Sequence, residues 1–206
     1  MIFKINMNNI SFKSRIILTS PRIYQKASMQ IPAKNFISYP WTPAQGVLSN
    51  CVETSKVSDC EFVGITDGER ILGGHFDPLN VVNETFSNIV SFFNKNIKQM
   101  GDKSYLQAVI IGGKAPRIAG EESYRQIYNT IDFFKREGIP YSLFMGGIGE
   151  RDICYFSHKD EYIIGTGAVD KLGLSEDLAA EEAFNKVFDK VEVSSDDEII
   201  FQKTWF

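Results

Sequence analysis

SDCEFVGITDGERILGGHF, residues 58–76, contains two β-rich runs, CEFVGIT and ERILGGHF, with Asp67-Gly68 between them. A two-residue Asp-Gly loop flanked by β-formers is a strong hairpin signal, because both residues tolerate the positive φ that such a tight turn requires. In that register Thr66 faces Glu69, Ile65 faces Arg70, Val63 faces Leu72, and Cys60 faces His75. Facing residues on antiparallel strands hold their Cβ atoms about 4.5–5.5 Å apart, close enough for a thiol and an imidazole to share a proton. Gly73 and Gly74 remove side chains just before the histidine, as though a backbone or a small molecule comes close there.

Outward from this hairpin the chain alternates between strand and helix patterns. Val82, Phe86, Ile89, Val90, Phe93 and Ile97 form one apolar stripe at helical spacing, giving a core helix over about 82–100 that ends near Gly101. LQAVIIGG (106–113) is a short apolar run stopped by glycines and reads as a buried strand. A second helix follows, with Tyr124, Ile127, Ile131 and Phe134 on one face and Gly138 placed to end it, and IPYSLFMGG is the next strand. RDICYFSHKDEYIIGTG reads as another hairpin turning at SHKD. A last helix starts at Ser175, a good N-cap followed by Glu176 and Asp177, and EIIFQKTWF closes the chain as a strand. Residues 1–45, in which short β-prone pieces (MIFKI, RIILT) are separated by SP, IPAKN and YPWTPAQG, read as an irregular N-terminal arm packing on the core. Residues 46–206 form a single α+β domain, a mixed or antiparallel β core flanked by helices.

The totals narrow the function classes. The 206 residues are 43% apolar and carry a formal charge of -4 with a pI near 5.3, so there is no basic field for nucleic acid. The opening residues lack the uninterrupted apolar segment of a membrane span or signal peptide, which leads to the expectation of a soluble protein without membrane insertion. Three cysteines, Cys51, Cys60 and Cys154, cannot all pair within the chain, so a reducing compartment with a free thiol is expected: the cytoplasm of the producing cell, or of a second cell that receives the protein.

A free thiol is mostly protonated at neutral pH, and a neighbouring imidazole that takes its proton makes it a nucleophile. Cys60 and His75 are the candidate pair. The competing thiol is Cys51, in GVLSNC; Cys154 reads as a packing residue and His158 as a solvated turn residue. No CxxC or HxxxH spacing places two metal ligands on one element, and Gly112-Gly113 and Gly146-Gly147 lack the context of a phosphate loop, so neither metal nor cofactor is expected.

ETSKVSDCEFVGITDGERILGGHF resembles the active-site segment of the CheD chemoreceptor glutamine deamidases: a Thr, the nucleophilic Cys after five residues, a hairpin, then a His preceded by small residues. The likeness continues through VIIGG, FMGG and the Arg-led hairpin, covering about 52–168, and extends to the cytotoxic necrotizing factor and related lethal-factor deamidase toxins. It implies a CheD-like fold, with Cys60 as nucleophile, His75 as base and Thr54 as supporting hydroxyl. The implied activity is hydrolysis of a glutamine side-chain amide in a protein substrate, either a chemoreceptor or a host protein targeted by an effector, with transglutamination open to the same thioester. The family commonly has Gly-Ser before the cysteine, whereas this chain has Ser58-Asp59. That departure bears on the oxyanion site and supports the other reading, a divergent protein-binding module.

Overall fold

The 58–76 hairpin forms, but around a longer turn. Thr66 pairs with Ile71, Ile65 with Leu72, Gly64 with Gly73, Val63 with Gly74 and Phe62 with His75. His75 therefore faces Phe62, and Cys60 lies just before the first paired residue. The cause is Asp67. Its side chain accepts hydrogen bonds from the backbone N–H of Glu69 (3.0 Å) and Arg70 (2.6 Å), and its own N–H donates to the Arg70 carbonyl at 3.2 Å. Only Gly68 in this loop has positive φ, whereas a two-residue type I′ turn needs it at both central positions.

The computed structural model describes residues 14–37, 45–78, 84–113, 120–147, 149–171, 178–194 and 197–203. Among them the chain forms one α+β domain with two mixed six-stranded sheets and five helices. The first sheet runs β12 (Glu198–Gln202), β1 (Arg15–Thr19), β10 (Glu161–Thr166), β9 (Arg151–Phe156), β4 (Cys51–Val57), β2 (Phe36–Ile37). The second runs β11 (Lys190–Glu192), β8 (Tyr141–Met145), β7 (Gln107–Gly112), β5 (Glu61–Thr66), β6 (Ile71–Phe76), β3 (Gln45–Ser49). The helices are α1 (Pro21–Ser28), α2 (Glu84–Ile97), α3 (Gly120–Glu137), α4 (Ala168–Lys171) and α5 (Ala180–Val187).

Period-two alternation stacks the sheets face to face. Ile16, Leu18, Val52, Ile153, Tyr155, Tyr162 and Ile164 of the first meet Phe62, Ile71, Val109, Ile111 and Phe144 of the second, with Phe184 and Val187 of α5 joining them. On the far side of the second sheet, Val63, Ile65, Leu72, Phe76, Ala108 and Ile110 pack under α2 and α3. Phe76, Phe93, Phe133 and Phe134 form a chain of ring contacts there, each buried phenylalanine contributing roughly 1.5–3 kcal/mol. On the far side of the first sheet, α1 covers Ile17, Cys51, Cys154, Phe156 and Ile163.

Most elements lie where the sequence places them, and the stretch read as an irregular arm is where the structure differs. Arg15–Thr19, inside the stretch read as an arm, is an interior strand paired in parallel with both β10 and β12. Its residues Ile16–Thr19 are buried, so this segment is part of the core. The expected Ser175 helix start lies outside the described residues; α5 begins at Ala180 with Ala179 as its N-cap. The side chains of Val82, Phe86 and Ile89 in the expected stripe, the stretch 38–44 and residues 204–206 are likewise outside them, whereas Phe93 and Ile97 are core residues as expected.

The glycines of ILGGHF serve the core rather than an approaching substrate. A Cβ on Gly73 would press on Ile37 and Val52 of the facing sheet, and one on Gly74 would overlap the Phe76 ring.

Candidate active site

His75 is held from the opposite sheet. Thr54 on β4 lies with Val52 on the inward side, and its Oγ1 is 2.7 Å from His75 Nδ1. The same hydroxyl donates to the Ile37 carbonyl on β2 at 2.9 Å. A hydroxyl has one hydrogen. With that hydrogen given to Ile37, Thr54 accepts from the ring, so Nδ1 carries the proton and Nε2 the lone pair. Two residues named by the resemblance thus meet, and the strand pair β2–β4 fixes the tautomer.

The imidazole is completely buried, and burial lowers its pKa to about 4, with the negative charge of Asp59 opposing that shift. His75 is therefore neutral at pH 7, a base rather than an imidazolium.

Cys60 is 1% exposed. The expected pairing directly across from His75 is not observed. Continued back from Phe62, the alternation of β5 places Cys60 at a position diagonal to His75 on the same side of the hairpin. The two-residue difference in register is what preserves this; a slip of one residue would have sent the two side chains to opposite faces. Diagonal positions are about 7–8 Å apart at Cα, with Cβ atoms somewhat closer.

The segment entering Cys60 is re-aimed by a β-bulge. Pairing of β4 with β9 shifts register between Thr54 and Val57, and Lys56 takes φ 59 there. The main chain then turns against Gly112-Gly113. Gly113 N–H bonds the carbonyls of both Ser58 and Cys60 at 3.0 Å, and a Cβ on Gly112 would overlap the Cys60 carbonyl. These glycines are a tight strand exit, as expected, and they also let β7 approach the cysteine backbone. Ser58 Oγ donates to Asp59 Oδ1 at 2.7 Å, tying the departure from the family pattern into a local pair.

Three buried groups around this segment were not identified from sequence. Arg151 is fully buried; its Nη2 bonds the Gly146 carbonyl and its Nη1 makes long contacts with the carbonyls of Val57 (3.5 Å) and Ser58 (3.4 Å). Ser123 Oγ on α3 donates to the Asp59 carbonyl at 2.7 Å. Glu61, next to the cysteine, is fully buried, and burial raises its carboxyl to about 7 although Gln126 donates to it at 2.9 Å. The arginine had a legible signal, as the residue leading the RDICYF strand of the second hairpin. Ser123 and Glu61 had none, because their roles depend on contacts between distant elements.

The competing residues lie elsewhere. Cys51 is on the outer face of β4 with its Sγ accepting from Asn35 Nδ2 at 3.3 Å, so it points away from the side on which Thr54 holds His75. Cys154 is fully buried under α1, where burial pushes its thiol up, and His158 sits in the exposed Ser157–Asp160 turn. None of the three cysteines forms a disulfide, and among the described residues no cluster of His, Cys, Asp and Glu is arranged to hold a metal ion. No described helix is long and apolar enough to cross a membrane. Compared with known proteins, the chain matches no family model and no curated sequence.

Proposed function

We propose that the protein is a cysteine-dependent glutamine deamidase of CheD-like fold that acts on a protein substrate. The observation that carries this reading is the relay Ile37 carbonyl, Thr54 hydroxyl, His75 Nδ1, which leaves Nε2 as the basic nitrogen of a neutral imidazole. Cys60 Sγ attacks the carboxamide carbon of glutamine while His75 Nε2 takes the thiol proton. The tetrahedral intermediate collapses as His75 returns that proton to the departing nitrogen, releasing ammonia and leaving a thioester on Cys60. Water, deprotonated by Nε2, then attacks the thioester; glutamate leaves and the thiol is restored. An amine in place of water gives transglutamination. Gly113 N–H already bonds two carbonyls, so the oxyanion donor comes from another group.

With Cys60 and His75 both closed off from solvent, turnover requires the site to open for the carboxamide. That closure favours a second reading, a protein-binding module that keeps the fold without the chemistry. Expression of the wild type or Cys60→Ala beside candidate chemoreceptors and host proteins separates the two. A deamidase converts specific glutamines to glutamate, a gain of about one mass unit, only with Cys60 present. Stable capture of a partner by both forms, with no conversion, would establish the binding module.

A further inference from the structure

Four successive main-chain carbonyls around the nucleophile are each held by a donor from another element. Val57 and Ser58 are reached by Arg151 Nη1, Ser58 and Cys60 by Gly113 N–H, and Asp59 by Ser123 Oγ. A trans peptide is planar, so its C=O and the following N–H point in opposite directions. Fixing the Asp59 carbonyl from Ser123 therefore also fixes the direction of the Cys60 N–H and of the bond into its Cα. Resting on the thiol–imidazole reading above, we infer that Arg151 and Ser123 are positioning residues that set the orientation of Cys60 toward His75.

Arg151 is built for this role. It stands opposite Val57 in the β4–β9 ladder, immediately after the bulge, so its side chain enters the turn that the bulge creates. Its guanidinium lies over the Phe188 ring, 4.9 Å from the centroid, and a Cβ on Gly147 would crowd Nη2. Burial lowers its pKa to about 10, with Asp189 opposing the shift, so it stays charged at neutral pH. Burying an ion costs several kcal/mol, and a residue needed only to fill this volume would be apolar. The planar fork instead bridges carbonyls of two segments distant in sequence, Gly146 after β8 and Val57-Ser58 at the end of β4. Ser123, 1% exposed, supplies the next hydrogen bond from α3.

The test is a reactivity cycle with 2-chloroacetamide, a small carboxamide electrophile, with modification at Cys60 quantified by peptide mass in the full chain. His75→Asn keeps an amide opposite Thr54 but removes Nε2, and its effect on the Cys60 rate measures how well imidazole and thiol are aligned. The ratio cancels changes in access to the buried thiol. In the wild type, His75→Asn should slow modification at least about tenfold, within the range of general-base assistance. In Ser123→Ala and Arg151→Met backgrounds the same substitution should have about a twofold effect or less, with Arg151→Lys intermediate, because their base and thiol are no longer aligned. Cys51, under α1, is the internal control, and a role confined to overall stability would leave the Cys60 ratio at its wild-type value. Retention of that ratio in both Ser123→Ala and Arg151→Met overturns the inference while leaving the deamidase reading intact. Should Arg151→Met fail to fold, Ser123→Ala alone decides. A wild-type ratio of one, or no reaction at Cys60 in the native chain, overturns the thiol–imidazole reading itself.

Discussion

Replacing Glu61 with glutamine should stabilise the protein in alkaline solution and change little in acid. Glu61 Oε1 and Gln126 Oε1 are both buried acceptors without a donor. A proton on the Glu61 carboxyl supplies one, which is consistent with burial raising its pKa from 4.5 to about 7. The folded protein thus binds this proton more tightly than the unfolded chain does. Its contribution is fully present below about pH 4.5 and is lost as pH rises to about 7. The shift corresponds to about 3 kcal/mol, at 1.36 kcal/mol per pKa unit. Glutamine presents a neutral donor at every pH. Urea unfolding of wild type and Glu61→Gln should therefore give similar midpoints at about pH 5 and a variant midpoint about 1–3 M higher at about pH 8.5, taking a slope of about 1–3 kcal/mol/M. A midpoint difference independent of pH, or one favouring glutamate in alkali, would refute the neutral buried acid.

Thr54→Val should lower turnover about 100-fold by releasing the His75 tautomer, whereas Thr54→Ser should stay within about threefold, as read from ammonia release. Gly112→Ala, at φ +125 against the Cys60 carbonyl, should cost about 2–3 kcal/mol of stability by thermal unfolding and remove activity. Because His75 is lowered from 6.5 to about 4, the stability carried by its neutral form should be fully present above about pH 6.5 and be lost as pH falls from about 6.5 to about 4. The acid limb of kcat/KM should follow the same group and lie well below the ordinary histidine range; a limb near pH 6.5 would contradict a neutral buried base.

The sequence carried the elements better than the register joining two of them. Apolar alternation and the glycine stops placed β7, β8 and the β9–β10 hairpin, where Phe156 meets Glu161 across Ser157–Asp160 as the SHKD turn implies. Gly138, at φ +70, ends α3 as expected. Asp67-Gly68 misled by two residues, since Asp67 can bond two following N–H groups and thereby stabilise a longer loop. RIILT was legible as a short β-prone piece but not as core, since only pairing with β10 and β12, distant in sequence, makes it interior. Thr54 entered through a family pattern, and its contact with His75 joins two different sheets, a relation no local spacing encodes. Ser123 was illegible for the same reason: its partner is a main-chain oxygen, which leaves no mark on composition.

The central claim is a covalent one: a glutamine acyl group passes through Cys60. Rapid acid quench of the wild type with a convertible glutamine peptide, followed by intact and peptide mass measurement, tests it most directly. The account predicts a thioester on Cys60 with the mass of the peptide less ammonia, present also in Cys51→Ala and absent from Cys60→Ala. Conversion of the glutamine by Cys60→Ala, or an acyl adduct carried on Cys51, would contradict it.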